Sequence, residues 1–328
     1  MIMRLTFILL LPALPCAAAE LPGIPAFIDE MVSKHEFKRD ELEQVFQRTQ
    51  HVQAVIDAIS LPATIKPWVE YRANFINNKR IDGGLKFWLR YEEALKRAEW
   101  EYGVPQEIIV AVIGVETMYG RNSGRFSALE ALTTLAFDYP RRADFFRSEL
   151  KSYLLLAREQ EWELFKVKSS YAGALGIPQF MPSSYLNFAE DYDNDNSVDL
   201  MSEPVDAIGS VANYLKEYGW HRNEPVAVLA NVSEKARAGK LSNPRSLAAW
   251  AESGVTPVVE TANEKLALLL DFTVADGKEF WLAFNNFQVI TLYNNSIFYA
   301  MSVHQLADAL RNARGLVSED RMVPGKTK

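Results

Sequence analysis

Residues 104–120 of the sequence read VPQEIIVAVIGVETMYG, and this stretch decides the fold class. Pro105 near its start, Glu107 in its first turn and Gly120 at its end are typical of the two ends of a single helix. Nearly all residues between these ends are apolar. We therefore expect this helix to be buried at the centre of a helical core, with Glu116 in its last turn.

Helical spacing of apolar residues predicts further helices on both sides of this segment. In the N-terminal third, it occurs from Pro25 to about Ser60 and from Gly84 to Tyr102, with a loop around Lys66 to Arg80 between them. Other helices are predicted over 128–137, 143–158, 183–190, 205–218 and 298–310. Short apolar runs predict strands at Val226–Val232, Leu266–Thr273 and Phe287–Leu292, with a short helix at Leu247–Glu252.

The composition is that of an ordinary globular protein. Its 328 residues, 48% hydrophobic and 23% charged, can bury a sizeable core. The net charge of -7 gives no positive surface for binding phosphate backbones, so we expect no nucleic-acid partner. The four histidines are scattered without the spacing of metal ligands.

Residues 1–19 are predicted to be a secretory signal peptide, because an apolar run follows Arg4 and small residues precede Glu20. The run is too short to cross a bilayer core of about 30 Å. The one cysteine, Cys16, lies in this segment. A lipid anchor on it is less favoured because Pro15 precedes it, so we expect a periplasmic protein without thiol chemistry.

A carboxyl group buried near the C-terminal end of a helix is hard to ionise. Burial and the negative end of the helix dipole both raise its pKa, toward the range where Glu116 can protonate a glycosidic oxygen near neutral pH. The alternative is that Glu116 only pairs with Arg121 or Arg125. Gly114, which costs a helix about 1 kcal/mol relative to alanine, indicates a neighbour packed against the backbone.

A second motif follows at residues 170–183, which read SYAGALGIPQFMPS. Glycines and prolines alternate here with polar and aromatic side chains. This composition predicts a constrained loop that suits sugar recognition, although rigid connectors between helices have a similar composition.

A third motif, residues 191–199, reads DYDNDNSVD. Its oxygen-bearing side chains alternate as in the start of an EF-hand loop, and the candidate ligands are Asp191, Asp193, Asp195 and Ser197. Asn196 replaces the usual glycine at position 6, and Ser202 replaces the glutamate at position 12. Because asparagine tolerates the left-handed conformation, we interpret the motif as a structural Ca²⁺ site; the alternative is a plain acidic turn.

Five blocks of the sequence, in this order, resemble the membrane-bound lytic murein transglycosylase B family, glycoside hydrolase family 103. They are IGVET at 113–117, YPRRA at 139–143, GALG at 173–176 with QFMPSSY at 179–185, PVDAIGSVANY at 204–214, and YNNS at 293–296. The resemblance implies a mainly α (α+β) fold, in which a lysozyme-like helical core carries an additional N-terminal helical domain and a small β-containing inserted domain.

The domains predicted on this basis follow the chain in order. They are the signal peptide 1–19, the N-terminal helical domain 20–98, the catalytic core 99–219 with an EF-hand-like loop at 191–206, a small mixed α/β insert 220–285, a C-terminal return to the core 286–314, and a tail 315–328.

The resemblance also implies roles for single residues. It places the catalytic acid/base on Glu116 and implies that Asp206 is the aspartate that closes the acidic loop. It implies that the glycan cleft is lined by Ser170, Gln179, Arg142, Tyr214, Tyr293, Asn294 and Tyr299, together with Tyr71 and Phe180.

The implied reaction cleaves the β-1,4 bond between N-acetylmuramic acid (MurNAc) and N-acetylglucosamine (GlcNAc), forms 1,6-anhydroMurNAc ends and needs no catalytic cofactor. The implied partners are peptidoglycan glycan strands and proteins of cell-wall synthesis. Three alternatives stay open: a hydrolytic muramidase, a non-catalytic peptidoglycan-binding protein, and a calcium-regulated adhesion or sensor module.

Overall fold

The computed structural model describes residues 21–61, 66–237, 243–262 and 264–322. The predicted signal peptide lies outside these residues, as does the end of the predicted tail. Within the described ranges, no helix combines the length and the apolar character that a membrane span requires.

The helices are α1 (Ile24–His35), α2 (Arg39–Arg48), α3 (Gln53–Ser60), α4 (Trp68–Ala73), α5 (Asn78–Arg90), α6 (Glu92–Tyr102), α7 (Gln106–Thr117), α8 (Ala128–Asp138), α9 (Ala143–Glu159), α10 (Pro182–Phe188), α11 (Pro204–Glu217), α12 (Glu234–Arg237), α13 (Leu247–Glu252), α14 (Asn285–Tyr293) and α15 (Ile297–Met322). The strands are β1 (Phe126–Ser127), β2 (Lys168–Ser169), β3 (Ala227–Val232), β4 (Arg245–Ser246), β5 (Val255–Pro257), β6 (Leu266–Val274) and β7 (Gly277–Ala283).

The chain folds into two compact units. The first holds the described residues up to 61 together with 125–174, and the second holds those from 66 to 124 and from 175 onward. The domain boundaries predicted from the sequence stay a prediction.

The first unit is helical, apart from one short pair of strands. Helix α8 packs against α9 and α3, and β1 pairs with β2 in antiparallel register, Phe126 opposite Ser169. Phe27 of α1 lies edge-on to Phe46 at 5.9 Å and to Phe137 at 5.8 Å between ring centroids, a favourable geometry for aromatic rings. Helices α1, α2 and α3 confirm the helical prediction from Pro25 to about Ser60.

Helix α7 is the centre of the second unit, as its apolar sequence predicts. Every residue from Ile108 to Val115 is buried, and the helix packs against α5, α6, α11 and α15. A helix that is apolar all round can only be stable when other helices cover it on every side.

The second unit also holds a five-stranded antiparallel sheet in the order β4-β6-β7-β3-β5. Strands β6 and β7 form a hairpin in which Val274 pairs with Gly277. Gly277 has φ 130, a conformation that favours glycine. Trp250 of α13 is fully buried in the core next to this sheet. The sheet itself confirms the predicted β-containing region.

Two predictions of secondary structure were wrong. Phe287–Leu292, predicted as a strand, lies in α14; its first turn is fixed by Asn286, which accepts from the N–H of His221 and donates to the carbonyls of His221 and Glu224. The predicted loop around Lys66 to Arg80 contains α4 and the start of α5. At α14, tertiary contacts outweigh the local preference of the sequence.

Candidate active site

Glu116 lies in the last turn of α7, where the chain leaves the helix abruptly. Met118 and Tyr119 both have left-handed backbones, with φ 52 and φ 62. Their N–H groups bond back to the carbonyls of Gly114 and Ile113, which ends the helix. The hydroxyl of Thr117 donates to the carbonyl of Ile177 at 2.8 Å and accepts from the N–H of Gly120 at 2.9 Å. These two bonds connect the turn to the loop at Ile177 and to the residues that follow the helix.

The Glu116 carboxyl group has a phenol as its partner. The hydroxyl of Tyr299, on α15, donates to Oε1 of Glu116 at 2.5 Å. Burial raises the pKa of Glu116 to about 7, and the Tyr299 hydrogen bond opposes that rise because it favours the ionised form. The alternative partners considered from the sequence, Arg121 and Arg125, do not supply this bond.

Three predicted cleft residues form an aromatic wall next to this pair. The rings of Tyr293 and Tyr299 are stacked, with 6.4 Å between their centroids and an angle of 13° between their planes. Tyr293 also lies 4.8 Å from Tyr214 and 5.8 Å from Phe180. The phenols of Tyr293 and Tyr214 donate to backbone carbonyls, at Pro178 and Leu292. Phe180 and Tyr214 are buried, so they form the back of the wall.

Tyr71 belongs to a second aromatic group, which sequence reasoning missed because it placed this segment in a loop. Its ring lies 6.3 Å from Trp68, 5.2 Å from Phe75 and 5.5 Å from Phe298. The negative charge of Glu116 adds to the burial that raises the pKa of Tyr71. Trp68, Tyr71 and Phe75 recur at three- and four-residue steps, a helical signal that could have identified α4.

The geometry of the 175–180 loop comes from a tight turn. Leu175 and Phe180 exchange backbone hydrogen bonds, and Gln179 between them has a left-handed backbone, φ 53. The Gln179 amide donates to the carbonyls of Ser123 at 3.0 Å and Gly176 at 2.9 Å. The side chain is thereby fixed while its residue stays partly exposed.

The other predicted cleft residues are placed as follows. Ser170 and Arg142 belong to the first unit. The Ser170 hydroxyl accepts from the N–H of Ala174 at 3.0 Å, and the guanidinium of Arg142 lies 4.2 Å from the ring centroid of Phe145. Asn294, directly after α14 in the second unit, is exposed.

A buried arginine that sequence reasoning missed contacts the turn that carries Glu116. The Arg80 guanidinium donates to the carbonyl of Gly114, while the Tyr119 hydroxyl donates to the carbonyl of Arg80 at 2.8 Å. A Cβ on Gly114 would lie 2.6 Å from the Tyr119 oxygen. Gly114 therefore has the close neighbour that its presence in the helix predicted.

The acidic loop brings three of its predicted ligands together. Carboxylate oxygens of Asp191, Asp193 and Asp206 all lie within 4.8 Å of one another. Asp206 is buried and accepts from the backbone N–H groups of Tyr192, Asp193 and Asp199. Asn196 has φ 71, the left-handed conformation expected where an EF-hand has glycine.

This set of oxygens fits a calcium ion. Ca²⁺ binds oxygens at about 2.4 Å, so oxygens on opposite sides of one ion lie about 5 Å apart. Asp195 is not in this group of carboxylates, and it accepts from the N–H of Ser197 at 2.8 Å. The predicted part of Asp195 and Ser197 in ion binding stays a prediction.

Known proteins resemble this chain over most of its length. Residues 21–308 match the family model described as the transglycosylase SLT domain. Membrane-bound lytic murein transglycosylase B of Escherichia coli is 42% identical over 306 residues, 90% of this chain and 84% of that protein.

Two solved structures extend the likeness to the fold. The Escherichia coli lytic transglycosylase Slt35 in complex with calcium has a TM-score of 0.85 at 42% identity, covering 90% of this chain and 95% of that one. SltB3 from Pseudomonas aeruginosa in complex with NAG-anhNAM-pentapeptide has a TM-score of 0.79 at 27% identity, covering 88% of this chain and 78% of that one.

A helical core with a carboxyl group at the end of its central helix, together with these matches, defines the class. The chain belongs to the SLT-domain transglycosylase family, and the fold class predicted from the sequence is confirmed.

Proposed function

We propose that this chain cleaves the β-1,4 bond between MurNAc and GlcNAc in peptidoglycan as a lytic transglycosylase, with Glu116 as its acid/base. The observation that carries the proposal is the Glu116 carboxyl group, whose pKa of about 7 leaves it partly protonated at neutral pH. A group with a pKa near the working pH can both give and take a proton within one turnover.

In the first step, Glu116 donates its proton to the glycosidic oxygen as the bond to C1 of MurNAc breaks. The GlcNAc hydroxyl leaves, and the substrate's own acetamido group stabilises the cationic centre. The phenol of Tyr299 then donates to a full carboxylate, so its hydrogen bond becomes stronger as the charge develops.

In the second step, ionised Glu116 removes the proton from the C6 hydroxyl of MurNAc as that oxygen attacks C1. Glu116 regains its proton, the 1,6-anhydro ring closes and no water is consumed. Hydrolysis would instead normally require a second carboxylate. The groups that interact with Glu116 in the described part of the chain are phenols, those of Tyr299, Tyr293 and Tyr71, which favours the transglycosylase over the muramidase.

The substrate-binding residues follow from their exposure. We propose that Gln179, Asn294, Tyr293 and Tyr71 contact the sugars, while buried Phe180 and Tyr214 support the wall behind them. Ser170 and Arg142 stay proposed glycan contacts from the first unit. If the chain were instead a non-catalytic peptidoglycan-binding protein, it would show no turnover at all. A measurement of activity therefore decides between the transglycosylase and the binding protein.

The acidic loop is proposed to hold a structural Ca²⁺ through Asp191, Asp193 and Asp206. Bound calcium would offset two of the three negative charges of these carboxylates and so hold the loop against α11. It has no part in the chemistry at Glu116. The relative Slt35, solved in complex with calcium, supports this assignment.

We also propose that the protein acts in the periplasm, where peptidoglycan is found, and that residues 1–19 are removed during export. Mass spectrometry of the mature N-terminus tests this location: a chain that starts at Glu20 supports it, and a lipid on Cys16 would contradict free release. Proteins of cell-wall synthesis stay predicted partners, which co-purification from crosslinked cells would identify.

The decisive experiment is mass spectrometry of muropeptides released from purified sacculi. The unaltered protein should release anhydro ends, and Glu116→Gln should release none. Glu107→Gln, the same change in the first turn of α7, is the control and should keep its activity. Reducing ends would establish a muramidase, and an active Glu116→Gln variant would remove Glu116 from the mechanism.

A further inference from the structure

Arg80 holds the turn of α7 that carries Glu116 by a reciprocal pair of bonds. Its guanidinium donates to the carbonyl of Gly114, two residues before Glu116, and to that of Asn74 at 3.4 Å. In return, the carbonyl of Arg80 accepts the hydroxyl of Tyr119, three residues after Glu116. The two bonds join α5 to the chain on both sides of Glu116.

The surroundings of Arg80 favour a fixed position for this guanidinium. The residue is only 9% exposed, and its guanidinium lies 5.1 Å from the ring centroid of Phe75. Burial lowers the pKa of Arg80, which expresses the cost of keeping a cation there. A cation that donates to a carbonyl in the last turn of a helix recovers part of that cost from the helix dipole.

Packing around Gly114 leaves this turn little freedom. The Tyr119 ring lies within 2.8 Å of the place where a Cβ on Gly114 would stand. It also lies close to Gly84, one turn after Arg80 on α5, where an added Cβ would lie 2.5 Å from the Tyr119 oxygen. Tyr119 is thus clamped between α5 and α7, and its hydroxyl is directed to Arg80.

We infer that Arg80 is a positioning residue for the reaction: it fixes the last turn of α7 so that Glu116 meets both Tyr299 and the glycosidic oxygen. The inference rests on the proposed role of Glu116. Because a displacement of about 1 Å in a catalytic group can cost about 100-fold in rate, a small shift of this turn suffices.

The test compares Arg80→Met with Arg80→Lys and with Arg90→Met, an exposed arginine at the end of the same helix. Anhydro-end release is measured under saturating and limiting glycan, with folding checked by circular dichroism. Arg80→Met should lower kcat about 10- to 100-fold with KM within about threefold, since positioning acts in the transition state. Arg80→Lys should recover part of the loss, and Arg90→Met should match the unaltered protein.

Chemical rescue separates positioning from loss of structure. Added guanidinium or methylguanidinium, at concentrations that leave the unaltered protein folded, should restore part of kcat in Arg80→Met but none in Glu116→Gln. Tyr119→Phe, which removes only the other bond of the pair, should show a smaller loss of kcat and no rescue.

Two outcomes would overturn the inference. One is a folded Arg80→Met variant with unchanged kcat. The other is a loss of kcat that is proportional to the loss of folded protein and that guanidinium fails to restore. If Glu116→Gln itself keeps its activity, the proposed function fails instead, and the two failures are therefore distinguishable.

Discussion

Tyr299 donates its phenolic proton to Oε1 of Glu116 at 2.5 Å, so two helices of the second unit, α15 and α7, meet at the proposed acid/base. The bond lowers the pKa of Glu116, whereas burial raises it. The balance between these two opposing effects fixes the pH range in which the carboxyl group can first donate and then accept a proton.

Tyr299→Phe should therefore move the pH dependence of activity. Without the hydroxyl, the carboxylate loses a donor and the pKa of Glu116 rises above about 7, so the alkaline limb of the kcat profile should move to higher pH. At pH 7, kcat should fall roughly 10-fold because the ionised form is less stabilised. Tyr153→Phe, which removes a phenol that donates to Leu164 in the first unit, should leave the profile in place. An unmoved profile in Tyr299→Phe would contradict the role of this bond.

Glu116→Gln should stabilise the folded protein at alkaline pH. The folded pKa of Glu116 is about 7 against an ordinary 4.5, so its favourable contribution is complete below pH 4.5 and is lost as the pH rises through 7. The variant should exceed the unaltered protein by about 3 kcal/mol at pH 8, with no difference near pH 4. Urea unfolding at both pH values measures this gap. Glu93→Gln, whose side chain is 89% exposed, is the control.

Gly114→Ala should destabilise the fold although alanine favours helices. Its Cβ would lie 2.6 Å from the Tyr119 oxygen, which must move, and overpacking of this kind costs about 1–3 kcal/mol. Gly315→Ala, in α15 with nothing within 4 Å, should instead stabilise by up to about 1 kcal/mol. Thermal melts of both variants check the pair, and equal effects would mean that helix propensity alone decides.

Calcium should raise the melting temperature of the protein, and a chelator should lower it, if Asp191, Asp193 and Asp206 bind the ion. Asp193→Asn should weaken the calcium response at least about 10-fold. Asp199→Asn is the matched control. It should leave the calcium response in place, since that carboxylate accepts from the N–H groups of Met201 and Ser202 and is not among the three proposed ligands. A calcium response that survives in Asp193→Asn would place the ion elsewhere.

Asn294→Ala should reduce activity while Asn295→Ala should not. Both asparagines are exposed and adjacent, so the pair compares one proposed sugar contact with a neighbour of equal size. A hydrogen bond from this amide to a sugar is worth about 1 kcal/mol or more, which predicts at least about a fivefold loss in kcat/KM. Similar losses in both variants would assign the effect to the turn after α14 and not to the Asn294 amide.

The sequence predicted the buried helix α7 and the acid at its end because a strongly apolar segment with clear end signals has few other ways to fold. It failed at α14, where Phe287, Val289 and Ile290 have strand-like local preferences. Their helix depends on Asn286 reaching His221 and Glu224, some 60 residues earlier in the chain. Distant contacts of this kind leave no local pattern.

Arg80 and Tyr119 could not have been paired from the sequence for a similar reason. Gly114 indicated a close neighbour, but the identity of that neighbour depends on how α5 crosses α7. The alternating acids of 191–199 were visible in advance. Which oxygens converge depended on Asp206, a residue that spacing alone could not select.

Glu116 is carried by a helix in which Ile108 to Val115 are all buried, and this has a consequence for hydrogen exchange. Amide protons in such a helix reach solvent only when the whole unit unfolds. The amides of α7 should therefore be among the slowest in the protein to exchange for deuterium. The proposed acid would then keep its place until the unit itself melts, so heat should abolish activity and folded structure in one step.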